Sequence, residues 1–311
     1  TFIDKYGVSN KKSDIYTWKH DNTAPDVSTN VSSVTTLTAA GNYNAGKEIN
    51  IDISFSELIY VSNTSNLRLM MDVGVSDVSA NYIEVVDGRA LRFKYTVADG
   101  HNTNALDYSG NDALIIGGAT IEDDASNNAV LTLPTKGTLG SLSQNKTIVI
   151  DTIAPTASAA PSFTAVGTPV VSGYWNSTNT DLSLNVAIAN DTTLDGGEIQ
   201  LKAQVDSEGF EDLSGVYAIT TSDINSNKYF TISTTDFEGI GGGLLDLSQV
   251  YFRVDISDNA GNFSTGTETT DFIIFDTTAP TASAAPSFTA VGTTVVSGYW
   301  NSTNTDLSLN V

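Results

Sequence analysis

The chain has 311 residues, 40% hydrophobic and 16% charged, and sets 14 Lys and Arg against 36 Asp and Glu for a net charge of -22. That length exceeds a single sandwich of about 100 residues and suits two or three modules with separate cores; the composition excludes a disordered chain, and the charge argues against nucleic acid or an anionic membrane as a partner. With no Cys in the sequence, disulfides and thiolate metal sites are excluded, and no run approaches the ~18 apolar residues of a membrane helix, so no membrane insertion is expected in this segment.

In chain order, residues 1–20 read as the C-terminal tail of a preceding module, ending in the strand-like Ile15-Tyr-Thr-Trp18, and are followed by the boundary motif Asp21-Asn-Thr-Ala-Pro25. Residues 21–150 form a first complete module, with strands expected near 28–37, 48–55, 58–61, 67–73, 82–86, 90–97, 113–121 and 145–150 between Gly, Asn and Asp clusters. Apolar–polar alternation is clearest in Leu91-Arg-Phe-Lys-Tyr-Thr-Val97, the pattern of a half-buried strand. The motif returns as Asp151-Thr-Ile-Ala-Pro155 and opens a second module over 151–275. Its strands are expected near 162–172, 181–188, 198–205, 215–219, 228–233, 249–257 and 270–275, and helical periodicity is absent throughout.

The strongest signal is internal repetition. Residues 151–186 recur as 276–311, an offset of 125; over those 36 positions only Ile153 against Thr278 and Pro169 against Thr294 differ. Residues 276–311 therefore read as the truncated start of a further module, and the chain is expected to be a segment of a longer polypeptide. Each boundary follows an apolar run, such as Ile148-Val-Ile150 or Phe272-Ile-Ile-Phe275, and carries a Pro four residues after its Asp. Pro has no N–H and holds φ, so one module's last strand cannot run on as the next module's first. Seven or eight short strands per module, with turn signals every dozen residues, predict an all-β fold: tandem Ig-like antiparallel β-sandwich modules in an extended array. A β-solenoid fits less well because its period is 20 to 50 residues.

The boundary motif, Phe55-Ser-Glu57, Leu91-Arg-Phe-Lys-Tyr-Thr-Val-Ala-Asp-Gly100 and Asp258-Asn-Ala-Gly-Asn262 together resemble the bacterial Ig-like, cadherin-like tandem repeats of giant calcium-dependent surface adhesins. The resemblance covers essentially the whole chain. It implies an extracellular rod at the cell surface, stiffened by Ca²⁺ at its module junctions, whose binding tip lies elsewhere. Neighbouring modules of the same chain are then the immediate partners, with surface glycans or proteins contacted through parts not present.

Ca²⁺ takes about six to eight hard oxygens, so a site needs several acidic loops converging in space. In a seven-strand sandwich the B–C and F–G loops lie beside the preceding linker and the E–F loop lies at the exit end. At the junction near 151 the expected ligands are Asp151 from the linker, Asp191, Asp195 and Asp258 from the following module, and Asp99 and Asp107 from the preceding one. The junction near 21 would use Asp21, Glu57 and Asp123 or Asp124, and that near 276 would use Asp276 with Asp236, Glu238 or Asp246. The competing reading is that these residues close turns through their own side chains. Placement of an Asp alike at three boundaries is the argument for a cation.

No catalytic role is expected. His20 and His101 lack the partners of a nucleophilic or zinc site, Gly239-Ile-Gly-Gly-Gly243 lacks the Lys and helix of a phosphate loop, and a carboxylate pair for glycoside hydrolysis leaves no sequence signature. Two further readings stay open: a self-assembling subunit of an extracellular filament or surface layer, built from other copies of the chain, and a carbohydrate-binding module that stacks sugars on Tyr174-Trp175 and its copy Tyr299-Trp300.

Overall fold

A computed structural model describes residues 5–7, 19–27, 33–76, 78–282 and 284–310. Most of the expected tail over 1–20 and part of the strand expected at 28–37 lie outside them. The first module contains β1 (Val34–Thr35), β2 (Gly41–Tyr43), β3 (Glu48–Ser54), β4 (Tyr60–Ser62), β5 (Arg68–Asp72), β6 (Ser79–Val86), β7 (Ala90–Thr96), β8 (Asp107–Tyr108), β9 (Leu114–Ile115), β10 (Thr120–Glu122), a one-turn helix α1 (Leu142–Asn145) and β11 (Ile148–Ile150). The second contains β12 (Ser162–Gly167), β13 (Tyr174–Trp175), β14 (Asn179–Ala187), β15 (Glu198–Val205), β16 (Glu211–Asp212), β17 (Tyr217–Ala218), β18 (Asn227–Ser233), the short helix α2 (Thr234–Glu238), β19 (Gln249–Ser257), β20 (Phe263–Ser264) and β21 (Ile273–Phe275). A hairpin of β22 (Ser287–Gly292) and β23 (Asn304–Asn310) follows.

Alternation places the cores. On β3, Ile49, Ile51 and Ile53 are fully buried and stand opposite Tyr95, Phe93 and Leu91 of β7. Between them Asp52 faces away from the core and holds Arg92 through two bonds of 2.8 Å. The main sheet runs β1-β3-β7-β6-β5-β8, with β9 also on β5, while β2–β11 and β4–β10 form the smaller pairs. In the second module the sheet β12-β14-β18 is complemented by the sheet β13-β21-β19-β15-β16, which also carries β17 and β20. Its core combines Leu182, Leu184 and Val186 with Ile199, Leu201, Val250, Phe252 and Val254. The first core draws only on residues between Val27 and Ile150, and the second only on residues between Ala165 and Phe275.

Departures from the expected strands have local causes. The strand expected over 162–172 stops at Gly167, where the register with β14 shifts; a Cβ there would meet the Thr178 carbonyl at 2.4 Å. The run 113–121 divides into β9 and β10 around Gly117 and Gly118, both at positive φ. The two helices span 4 and 5 residues, too short for a 3.6-residue period to show in the sequence. α2 is started by Ser233, whose side chain accepts the Asp236 N–H.

Hairpin β22–β23 repeats β12–β14 residue for residue. Ser287 pairs Asn310 and the register shifts after Val291, as Ser162 pairs Asn185 and the register shifts after Val166. Burial does not repeat: Trp175 is 0% exposed and Trp300 58%.

Candidate metal centre at the module joints

The linker Asp residues share one local geometry. Asp21, Asp151 and Asp276 each accept, through Oδ1, the N–H two residues on, from Thr23 at 3.2 Å, Ile153 at 3.0 Å and Thr278 at 3.2 Å. This Asx-turn accounts for an Asp at all three boundaries without a cation, which removes recurrence alone as an argument for metal.

The F–G loops share a second geometry. Asp123 accepts the N–H groups of Ala125 and Asn127 at 2.8 Å each, and the Asn127 side-chain amide at 2.7 Å. Asn127 Nδ2 also reaches the carbonyls of Asp21 and Thr23, at 3.3 and 3.4 Å. In the second module Asp258 accepts the Asn262 N–H and side-chain amide at 2.9 Å each, and Asn262 Nδ2 donates to the Asp151 carbonyl at 3.0 Å. Asp-x-x-x-Asn is thus a device that ties each F–G loop to its linker. Asn262 stands in the quoted motif Asp258-Asn-Ala-Gly-Asn262, but its role and its counterpart Asn127 were not foreseen; the common spacing from Asp123 and Asp258 is the signal that shows both.

The carboxylates converge at one joint. The ligand oxygens of Asp21, Glu57 and Asp123 lie within 4.8 Å of one another, with Asp123 buried and the others half-buried. Among the described residues no other group of three converges in this way, and Asp124 points outward, exposed. At 4.8 Å each carboxylate pair repels by roughly 1 to 3.5 kcal/mol, depending on the local dielectric. Burial pushes the Asp123 carboxyl up, but the bonds from Asn127 and Ala125, with the charge of Lys19, hold it below the ordinary carboxylate range. Asp123 therefore stays ionised at neutral pH. Three hard carboxylates suit Ca²⁺, which would draw its remaining oxygens from bidentate binding, carbonyls and water.

The other expected ligands are engaged elsewhere. Asp107 is turned into its own module, where it accepts the Gly137 N–H at 3.1 Å and the Ser143 hydroxyl at 2.6 Å. Asp191 caps a one-turn 3₁₀ segment by accepting the Thr193 N–H and hydroxyl, and Asp195 accepts the Thr221 hydroxyl. Asp258 is tied to Asn262 as Asp123 is to Asn127, but among the described residues no two further carboxylates converge on it, and Asp99 is exposed. The joint at 151 therefore does not gather the expected cluster. The buried residue that directly follows β3 is Phe55 and the one that directly follows β14 is Ile188, so Asn190 stands two residues on where the first module has Glu57. At the third boundary Glu238 accepts the Trp175 indole N–H at 2.9 Å, Asp236 accepts the Ser233 hydroxyl, and Asp246 lies exposed in the loop before β19.

Trp175 is no sugar platform. It is fully buried and packs against Phe237 with ring centroids 4.4 Å apart, a core role that leaves the lesser sugar-stacking reading of Tyr174-Trp175 without an exposed indole. His101 is stacked on Tyr95, and its Nδ1 lies 2.8 Å from the Tyr95 hydroxyl. Among the described residues no helix is long and apolar enough to cross a membrane.

No family model and no curated protein matches the sequence. Solved structures similar to this chain include the FN1–FN3 domains of chicken CNTN1 (9% identity, TM-score 0.35, 78% of this chain and 67% of that one). A crystal structure of domains from titin is similar at 9% identity and a TM-score of 0.37, covering 77% of this chain and 62% of that one. A DUF4785 family protein from Legionella pneumophila is similar at 9% identity and a TM-score of 0.23, covering 77% of this chain and 56% of that one. The all-β sandwich assignment rests on the sheets themselves: two modules, each with its own core, joined in tandem through Asp-x-x-Ala-Pro.

Proposed function

We propose that the chain is a structural and adhesive segment of a large bacterial cell-surface or secreted protein, a stalk of Ig-like modules stiffened by Ca²⁺ at the joint around Asp21. The observation that carries this reading is the convergence of Asp21, Glu57 and Asp123 from the linker, the B–C loop and the F–G loop. One cation bound there offsets the repulsion among three carboxylates and ties the linker to two loops of the module it enters. Extracellular Ca²⁺ modules bind with affinities on the order of 10⁻⁴ to 10⁻³ M, so the site would fill in millimolar Ca²⁺ outside the cell and empty in chelator. Binding to the folded state alone at ten times Kd stabilises by about 1.4 kcal/mol. The expected result is a rise in the first module's melting midpoint on adding Ca²⁺ against EGTA, abolished in the triple variant Asp21→Asn, Glu57→Gln, Asp123→Asn. No Ca²⁺-dependent rise in the native chain would refute the site.

A filament-forming subunit is the second reading. It draws on the near-identity of 151–186 and 276–311, since an array of like repeats suits a filament as well as a stalk. Light scattering separates the two: a monomer in Ca²⁺ at micromolar chain supports the stalk, and ordered polymers support the filament.

A further inference from the structure

The joint at 151 lacks three converging carboxylates, yet its linker is held more completely than a flexible connection requires. The first module grips it through Thr152. The Thr152 hydroxyl accepts the Gly100 N–H at 3.0 Å and donates to the His101 carbonyl at 3.2 Å, and the Thr152 N–H donates to Asn102 Oδ1 at 2.9 Å. Just before it, Ile150 exchanges two backbone bonds of 2.9 Å with Thr103, and the Asp151 N–H donates to the Tyr43 carbonyl at 3.1 Å. The second module grips the same residues from the other side: Asn262 holds the Asp151 carbonyl at 3.0 Å, and the Ser264 hydroxyl holds that of Pro155. The two grips overlap at Asp151. Between Thr152 and Pro155 lie only Ile153, whose N–H is taken by Asp151, and Ala154.

The modules also meet directly. A cavity of ≈ 390 Å³ is lined from the first module by Asn42, Asn102 and Asn104 and from the second by Thr193 and Asn259, and Asn44 faces Gly261 closely enough that a Cβ there would sit 3.4 Å from its amide nitrogen. These groups are amides and hydroxyls, whose hydrogen-bonding capacity depends on neither pH nor a counter-ion.

From this we infer that the two modules are locked in one orientation by a cation-independent hydrogen-bond clasp centred on Thr152 and Asn102. The chain then combines two kinds of joint, one around Asp21 that responds to a cation and one at Thr152 that does not. Its next repeat shows what the clasp depends on. Thr277 occupies the place of Thr152, but among the described residues it makes no hydrogen bond. β7 pairs with β3 and β18 with β14, the corresponding strands of the two modules. After β7 the chain forms the loop that meets Thr152, whereas after β18 it turns into α2. The Thr is repeated and its partner loop is not.

The inference goes beyond the proposed function and is tested apart from it. The chain has no Cys, so spin labels can be placed at Ile83→Cys on β6 and Tyr229→Cys on β18, exposed by 44% and 68%, and their distance distribution measured in EDTA. The clasp predicts one narrow distribution, unchanged by Ca²⁺. Thr152→Val combined with Asn102→Ala should broaden it at least about twofold, since modules without a fixed interface move relative to each other by default. Thr152→Ser, which keeps the hydroxyl, should retain the native width. A distribution already broad in EDTA, or one that the double variant leaves narrow, overturns the clasp. Because these labels report only the joint at 151, either result leaves the calcium reading at Asp21 to its own titration.

Discussion

Asp123 and Asp258 show how much one carboxylate can organise. Each closes its own loop and, through Asn127 or Asn262, fastens that loop to the linker. Replacing either Asn by Ala strands a buried carboxylate oxygen, so Asn127→Ala and Asn262→Ala should each cost about 1 to 3 kcal/mol in urea unfolding of their own module. Asp223 supplies a pH test. The Thr220 hydroxyl and N–H, with Lys228 and the Tyr217 hydroxyl, outweigh burial and hold its carboxyl well below the ordinary range. A carboxyl depressed in the folded state contributes stability that is present above its unfolded pKa, about 4, and is lost as pH falls below it. The second module should therefore weaken below about pH 4, and Asp223→Asn should cost about 1 to 3 kcal/mol at pH 7 while flattening that acid dependence. An acid slope unchanged in the variant would assign it to other carboxylates. Of these roles, the sequence shows acidic residues in loops and nothing about which oxygens remain free. Asp107 and Asp123 look alike as letters, yet one is turned inward onto Gly137 and Ser143 while the other joins Asp21 and Glu57.

The elements were legible where alternation ran over five or more residues. β3, β7, β14, β15, β18 and β19 fall where the pattern places them, because a strand with one buried face must alternate. Two-residue strands such as β8, β13 and β16 carry no pattern of their own and form because a neighbouring strand offers them a ladder. The bulge at Gly167 is a further element-level feature. A Cβ at that position meets backbone, so Gly167→Ala should destabilise the second module by about 1 to 3 kcal/mol, whereas Gly173→Ala, with nothing within 4 Å but a positive φ, should cost about 1 kcal/mol. Thermal melting of the two variants ranks them. Trp175 and Trp300 extend the comparison: Trp175→Ala empties a packed site and should cost about 3 to 5 kcal/mol, while Trp300→Ala should leave the second module's midpoint within about 0.5 kcal/mol of native.

At the scale of the whole molecule, two cores that share no residue should unfold as two units. Phe93→Ala should lower one calorimetric transition by about 3 to 5 kcal/mol of stability and leave the other in place; a single transition shifting as a unit would mean that the joint couples them. The sequence by itself determined the all-β class, the long strands, the boundary motif and, in the 36-residue repeat, one hairpin with one register and one bulge written twice. Those properties are local, set by alternation, Gly and Asx-turn chemistry within a few residues. Tertiary structure alone decided that Trp175 is buried, that Thr152 is bonded to the loop after β7 while Thr277 makes no hydrogen bond among the described residues, and that among those residues three carboxylates converge at the joint around Asp21. In each case the deciding partners, Phe237 and Glu238 for the indole, Gly100 and Asn102 for the Thr152 hydroxyl and N–H, Glu57 for the acidic cluster, come from outside the repeated segment and reach it only through the fold.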